Sequence, residues 1–278
     1  MKRSFFLAAL GWLIISCCFA SPNRIITLSG ALTETVDALG FGNKIVATDV
    51  TSIYPLYVKQ LPKVSRNRSV SAEGLISFAP DLVLAPEGHI NKELQYQLKA
   101  SGIRLVIIDQ HYSLSGAIAF IQAVAKAIGV PDKGKMLAER TDERLQVAIA
   151  KVKTAKQEKK KVLFIYARGT GTMSVAGKGS SIDAIIKLAG AENAIQEFSD
   201  FKPYTTEAMV KVNPDLILMF DFGLSSLGGK ASVLKMPGVR LTKAGKEERI
   251  IDMDGQLLTN FSVRLPDAIL ALHGELVK

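Results

Sequence analysis

The sequence predicts an α/β protein built as two similar lobes with mostly parallel sheets, joined by a long rigid inter-lobe helix. Three observations carry that expectation. Apolar runs of strand length alternate with helical stretches along the chain, the pattern of parallel sheets covered by helices. A frame of sequence occurs twice: Ser71-Ala72-Glu73-Gly74-Leu75-Ile76-Ser77-Phe78-Ala79-Pro80-Asp81-Leu82-Val83-Leu84 returns as Thr205-Thr206-Glu207-Ala208-Met209-Val210-Lys211-Val212-Asn213-Pro214-Asp215-Leu216-Ile217-Leu218. Between the copies runs a helical stripe long enough to join two lobes.

The elements follow in order. Lys2 and Arg3, the apolar run Phe5–Ile15 and the small-x-small site Cys18-Phe19-Ala20 read as a cleavable secretory signal over residues 1–20. The run is too short to span a bilayer. The residues before Cys17 and Cys18 fit a lipidation box poorly, so lipid anchoring is the lesser expectation. The N-terminal lobe is expected over 21–112, with strands at Arg24–Leu28, Ile45–Thr48, Asp81–Ala85 and Leu105–Asp109. A helical connector follows over 113–160. Its first helix carries Ala117, Ile118, Ile121, Val124, Ala125 and Ile128 and is stopped by Gly129-Val130-Pro131. Its second, with Leu137, Thr141, Leu145, Ala148, Ile149 and Val152 on one face, is expected to reach about Glu158. The C-terminal lobe is expected over 161–278, with strands at Lys161–Tyr166, Asp215–Phe220 and Arg249–Met253. In each copy of the repeat, Ser71 or Thr205 can cap a short helix whose first turn holds Glu73 or Glu207, where the helix dipole favours a carboxylate.

Composition narrows the chemistry. Of 278 residues, only Cys17 and Cys18 are cysteines, and both go with the signal, so disulfides, thiol nucleophiles and Cys-bound metals are excluded from the exported chain. The formal charge of +9 falls to +7 once Lys2 and Arg3 leave. Much of that excess lies on one face of the second connector helix, at Lys133, Lys135, Arg140, Arg144, Lys151, Lys153 and Lys156, a solvated face rather than a nucleic-acid site. There is no Gly-x-Ser-x-Gly, no His-x-x-x-His, and His89, His111 and His273 are scattered. Gly177-Lys178-Gly179-Ser180 lacks phosphate-loop spacing and is read as the opening of a helix at Ser181. An enzyme is not expected.

A cleft remains. Ligands of open parallel sheets sit beyond the carboxyl ends of the strands. Two facing lobes would bring together the loops at Thr51–Tyr54, Ser65–Arg68, Pro86–His89, Gln110–Tyr112, Tyr166–Gly169, Asp221–Gly223 and Asp254-Gly255. Arg66, Arg68 and Arg168 would give the mouth a positive charge suited to carboxylates.

These residues resemble a known family, the periplasmic binding proteins of the metal-chelate type, and within it those that carry haem (hemin). The resemblance spans nearly all of the exported chain. It rests on Leu61-Pro62-x-Val64, Arg68, Ser71-Ala72-Glu73-Gly74, Tyr166-Ala167-Arg168-Gly169, Val175-Ala176-Gly177-Lys178-Gly179, Lys202-Pro203, Glu207-Ala208, Pro214-Asp215, Gly223-Leu224, Leu227-Gly228-Gly229 and Pro237-Gly238-Val239. It implies the class III binding-protein fold, a periplasmic monomer, haem as cargo rather than cofactor, and delivery to an inner-membrane ABC permease. It implies docking of Glu73 and Glu207 on arginines of that permease. One departure stands out: haem-binding relatives place Gly-Tyr two residues before the arginine, with the Tyr on iron, whereas this chain has Ser65 and Arg66 there. A guanidinium has no lone pair to give. Tyr54, His89, Tyr166 and Tyr204 are then the candidate iron ligands, with Arg66, Arg68 and Arg168 on the propionates. Three alternatives stay open: haem held without axial ligation, a ferric siderophore or corrinoid as the bound chelate, or, from another class, an exported enzyme or polyanion-binding protein.

Overall fold

The structure, a computed structural model, describes residues 21–65, 69–155, 158–169, 173–203 and 205–278. The expected signal segment, Arg66, Arg68, Lys156 and Tyr204 lie outside the described residues. In the N-terminal half, β1 (Ile25–Thr27), β2 (Ile45–Thr48), β3 (Leu82–Pro86) and β4 (Arg104–Ile108) form a parallel sheet in the order β2-β1-β3-β4. Ile25, Ile26, Leu82, Val83 and Leu84 are fully buried, the continuous apolar runs of a sheet covered on both faces. Because alternate residues point to opposite sides, Leu82 and Leu84 meet Leu32 and Val36 of α1 (Gly30–Val36) on one face. Val83 and Ala85 meet Leu75 of α2 (Ala72–Ile76) and Leu94 and Leu98 of α3 (Lys92–Ala100) on the other.

The connector is a pair of helices, α4 (Leu114–Ala127) and α5 (Pro131–Thr154), packed closely together. Each serves two cores. Phe120, Ile121 and Val124 of α4 and Leu137 and Ala138 of α5 pack with the first sheet, while Ala117, Leu145 and Ala148 pack with the second. A Cβ on Gly134 would lie 2.2 Å from that of Ala125, so the two helices meet there only because residue 134 has no side chain. At 24 residues α5 is roughly 36 Å long. It ends at Thr154 rather than near Glu158, because the apolar stripe ends at Val152 and a lysine-rich run follows with nothing to bury.

The C-terminal half carries β5 (Lys161–Ala167), β6 (Met173–Ala176), β7 (Glu192–Asn193), β8 (Phe201–Pro203), β9 (Leu216–Phe220) and β10 (Ile250–Met253), ordered β10-β9-β5-β6-β8 with β7 beside β5. Strands β10, β9, β5 and β7 are parallel, but β5 with β6 and β6 with β8 are antiparallel. These last strands escape the pattern of apolar runs. They are short, and β8 is an exposed edge where Pro203 is tolerated. Seven helices cover this sheet: α6 (Ser181–Leu188), α7 (Thr206–Val212), α8 (Asp221–Ser226), α9 (Lys230–Leu234), α10 (Lys243–Lys246), α11 (Gly255–Thr259) and α12 (Leu265–Leu276). Ser180 caps α6, as the Gly-Lys-Gly-Ser stretch suggested.

The repeated frame folds twice in the same way. Ser71 Oγ accepts from Gly74 N and Thr205 Oγ1 from Ala208 N, capping α2 and α7. Each copy has a residue of positive φ just before its Pro: Asn213 (φ 45°), the left-handed cap of α7, and Ala79 (φ 43°), two residues past the cap of α2. The aspartate after each Pro then pins the start of a strand: Asp81 accepts from Asn23 N (2.8 Å), and Asp215 from Lys161 N (2.8 Å). Burial raises the Asp215 carboxyl, but the hydrogen bonds from Lys243 Nζ and Lys161 N outweigh it and hold the group below its ordinary 3.8. A carboxylate held low stabilises the fold above about pH 4 and loses that contribution as pH falls through its lowered value. Asp215→Asn is therefore expected to cost about 1–2 kcal/mol at pH 7 and progressively less as pH falls below about 4. Urea melts of parent and variant across pH would check this, and an equal deficit at both ends would contradict it.

Candidate functional site

The carboxyl ends of both sheets face one cleft. On the N-terminal side its floor is set by a buried hydrogen-bond chain. Thr27 Oγ1 meets Thr33 Oγ1 (2.7 Å), Thr33 meets Ser52 Oγ (2.8 Å), and Ser52 donates to Asp49 Oδ1 (2.6 Å). Lys63 Nζ ties the same turn down by donating to Thr48 Oγ1 and Ser52 O, both at 2.7 Å. Burial pulls the Lys63 ammonium below its usual value, against the pull of Asp49. This chain holds Thr51 and Ile53 at the cleft wall.

Two adjoining cavities share Thr51 and Thr259. The larger, about 710 Å³, is lined by Val50, Thr51 and Ile53 from the first half and by Tyr166, Arg168, Phe220, Asp221, Phe222, Gly255, Gln256 and Thr259 from the second. The smaller, about 430 Å³, is more polar, with Ser65, Glu87, His89, Asp109, Gln110 and Asn260 among its walls. Among the described residues, three buried polar atoms of these lining residues have no hydrogen-bond partner: Gln256 Nε2 in the larger, Ser65 Oγ and Gln110 Nε2 in the smaller. Buried polar groups are nearly always paired, so such atoms mark where polar groups of a ligand would complete the set.

The larger cavity has an aromatic wall. Tyr166 on β5, Phe220 at the end of β9 and Phe222 on α8 lie 5.4–6.1 Å apart, centroid to centroid. Arg168 Nε donates to the Tyr166 phenol oxygen (2.6 Å), and its guanidinium sits 5.3 Å from the Phe222 centroid. The hydrogen bond and the stacked ring hold Arg168 beside Tyr166 at the cavity wall. The surface thus offers flat apolar contact, the Tyr166 phenol oxygen and the Arg168 guanidinium, with the Asp221 carboxylate as the opposite charge on the same wall.

The predicted residues fall in different places. Tyr166 and Arg168 line the larger cavity, and His89 lines the smaller, exposed, with its Nδ1 3.4 Å from Glu87 O. Tyr54 lines neither; its ring stacks on Arg264 at 3.9 Å. Arg66, Arg68 and Tyr204 lie outside the described residues. Glu73 and Glu207 stand apart from the cleft, exposed in the first turns of α2 and α7. Phe220, Gln256 and Thr259 were not singled out from the sequence. Phe220 was legible as the last residue of a predicted strand, but Gln256 and Thr259 carry no sequence signal. Among the described residues no group of three or more His, Asp or Glu is placed to hold a bare metal ion.

Residues 25–257 match the periplasmic binding protein family. The chain belongs to that family. This periplasmic binding protein is similar to the periplasmic heme-binding protein BhuT, solved in complex with two hemes: 38% identity, TM-score 0.86, 91% of this chain and 97% of that one. It is 31% identical over 251 residues to the uncharacterized ABC transporter substrate-binding lipoprotein YvrC of Bacillus subtilis, covering 89% of this chain and 78% of the relative. It is 27% identical over 224 residues to the vitamin B12-binding protein of Pectobacterium atrosepticum, covering 79% of each. Membership makes the chain a solute-binding protein rather than an enzyme, with the two-lobed fold the sequence predicted. No helix among the described residues of this periplasmic binding protein is long and apolar enough to cross a membrane.

Proposed function

We propose that this protein captures haem in the inter-lobe cleft and delivers it to an inner-membrane ABC importer. The observation that carries the reading is the aromatic wall of the larger cavity, with the Tyr166 oxygen bonded to Arg168. Tyr166 is the iron ligand in this reading, in place of the family tyrosine whose position holds Arg66. Arg168, with Arg66 and Arg68, then receives the propionate oxygens. The similarity to a heme-binding protein along nearly its whole length supports haem over other chelates. The protein acts as a monomer of two lobes, 21–112 and 161–278, with a connector over 113–160. It reaches the periplasm through a cleaved signal at 1–20. Glu73 and Glu207 dock the permease; their matched places in two copies of one motif support this, since two equivalent acidic posts suit a permease of two halves.

A corrinoid is the second reading, favoured by the hydrogen-bonding walls of the smaller cavity and by the vitamin B12-binding relative. Titration of the protein with hemin, cyanocobalamin and a ferric siderophore decides between them. Saturable hemin binding with a shifted Soret band and a Kd below about 1 μM is expected. No Soret change, or tighter binding of either competitor, would overturn the haem assignment.

A further inference from the structure

A buried ion pair joins the two halves of the molecule behind the cleft floor. Glu34, in the middle of α1, has a side chain with no exposure, an unusual place for a carboxylate. Its partners all come from the other half. Asn260 Nδ2 donates to Oε1 (3.1 Å), Arg264 Nε to Oε2 (3.0 Å), and Arg264 Nη2 to Oε1. Burial pushes the Glu34 carboxyl above its ordinary value, opposed by the Arg264 hydrogen bonds and charge. Burial works against the Arg264 guanidinium too, but Glu34 outweighs it and holds the group above its usual value. We take the pair as ionised, because a neutral carboxyl would leave the largely buried guanidinium without the charge that contacts it directly, Asp254 acting only from farther off.

Two further contacts lie along the same seam. Ile53 N donates to Gln256 Oε1 (3.4 Å). A Cβ on Gly30 would lie 2.7 Å from Gln256 Nε2 and 2.8 Å from Asn260 Nδ2, so the two side-chain amides of the second half fill the space that a side chain at residue 30 would take. The residues that make these contacts also bound the ligand space. Asn260 lines the smaller cavity, Gln256 and Ile53 line the larger, and Thr259 lines both. Arg264 carries Tyr54 on its other face. The seam is thus continuous with both cavity walls.

We infer that Glu34 is a positioning residue that, through Arg264 and Asn260, fixes the separation of the two lobes and so sets the width of the ligand slot. Directional hydrogen bonds between buried charges hold one geometry, whereas apolar contacts slide. A slot of fixed width admits a flat macrocycle and penalises a thicker one that carries groups on both faces. The width selection rests on the haem reading; the fixing of the lobes does not.

Spin labels on Lys99→Cys and Lys235→Cys, one exposed site in each half, report lobe separation in the chain from residue 21 onward, which has no other thiol. The parent is expected to show a narrow distance distribution without ligand. Glu34→Gln should broaden it toward longer distances and reduce the hemin-to-cyanocobalamin affinity ratio by about tenfold. A distribution as narrow as the parent's in Glu34→Gln would overturn the clamp. A broadened distribution with an unchanged ratio would overturn its role in selectivity. Should Glu34→Gln not fold, Glu34→Met/Arg264→Met replaces the pair by apolar groups of similar size, a change buried ion pairs commonly tolerate. That variant must also show the broad distribution, and a narrow one overturns the inference. If the parent itself binds no hemin, the haem assignment falls while the distance measurement still tests the clamp.

Discussion

Replacing Tyr166 with Phe is expected to abolish the charge-transfer band of phenolate-bound ferric haem and to weaken hemin binding by about 100-fold or more. The aromatic wall stays, because Phe keeps the edge-on contacts with Phe220 and Phe222. Only the oxygen is removed, and with it the acceptor for Arg168 Nε. Loss of mere outer-shell partners of a bound metal costs 10- to 100-fold, so loss of the ligand itself should exceed that range. Arg168→Ala should keep the band and cost about tenfold. Tyr54→Phe should leave both unchanged, since the Tyr54 ring packs on Arg264 outside both cavities. Absorption spectra and titrations of the three variants separate these outcomes. A persistent phenolate spectrum in Tyr166→Phe would move the iron ligand to another tyrosine, and an imidazole spectrum would point to His89.

Glu73→Ala combined with Glu207→Ala is expected to reduce haem uptake to below about one tenth while leaving hemin affinity within a factor of two. Both side chains are exposed and line neither cavity, so stability should change by no more than about 0.5 kcal/mol for each. A charge that is buried and paired on docking costs about 2–5 kcal/mol when truncated, enough at two sites to dissociate the carrier from its permease. Uptake assays in cells and hemin titration of the purified variant provide the two readouts. Normal uptake would remove the glutamates from docking. A parallel fall in affinity would show that they act on the cleft.

The repeated frame illustrates why so much of the fold was legible. Its cap and its Pro-Asp turn are local, so each residue type declares its job within a few positions, a hydroxyl before a helix and Pro-Asp before an apolar run. The hold of Asp81 on Asn23 N and of Asp215 on Lys161 N, by contrast, spans more than 50 residues and is not declared. The buried parallel strands were equally plain, because a strand covered on both faces must be apolar throughout. The antiparallel strands β6 and β8 were not, since an exposed edge such as Phe201–Pro203 needs neither a long apolar run nor alternation. Helix α5 was foreseen by its stripe, but the sharing of α4 and α5 between two cores was not, since periodicity shows that a face is apolar without naming what covers it.

The candidate site divides in the same way. Tyr166 and Arg168 were found because they sit two apart at the end of a recognisable strand, where both side chains leave the sheet on the same side. Glu34, Gln256, Asn260 and Arg264 could not be found, for their meaning lies in pairings across more than 200 residues of chain. Sequence alone determined what short-range chemistry dictates: two α/β lobes, a helical connector, an absence of cysteine chemistry after residue 20 and a strand end carrying a phenol beside a guanidinium. Tertiary structure alone decided which of those loops touch, how the cleft divides into an aromatic and a polar compartment, and that a buried carboxylate in one lobe is neutralised by the other. The physical reason is that desolvation and ion pairing depend on what surrounds a side chain in space, and nothing in the order of residues near Glu34 states that it will be buried against Arg264.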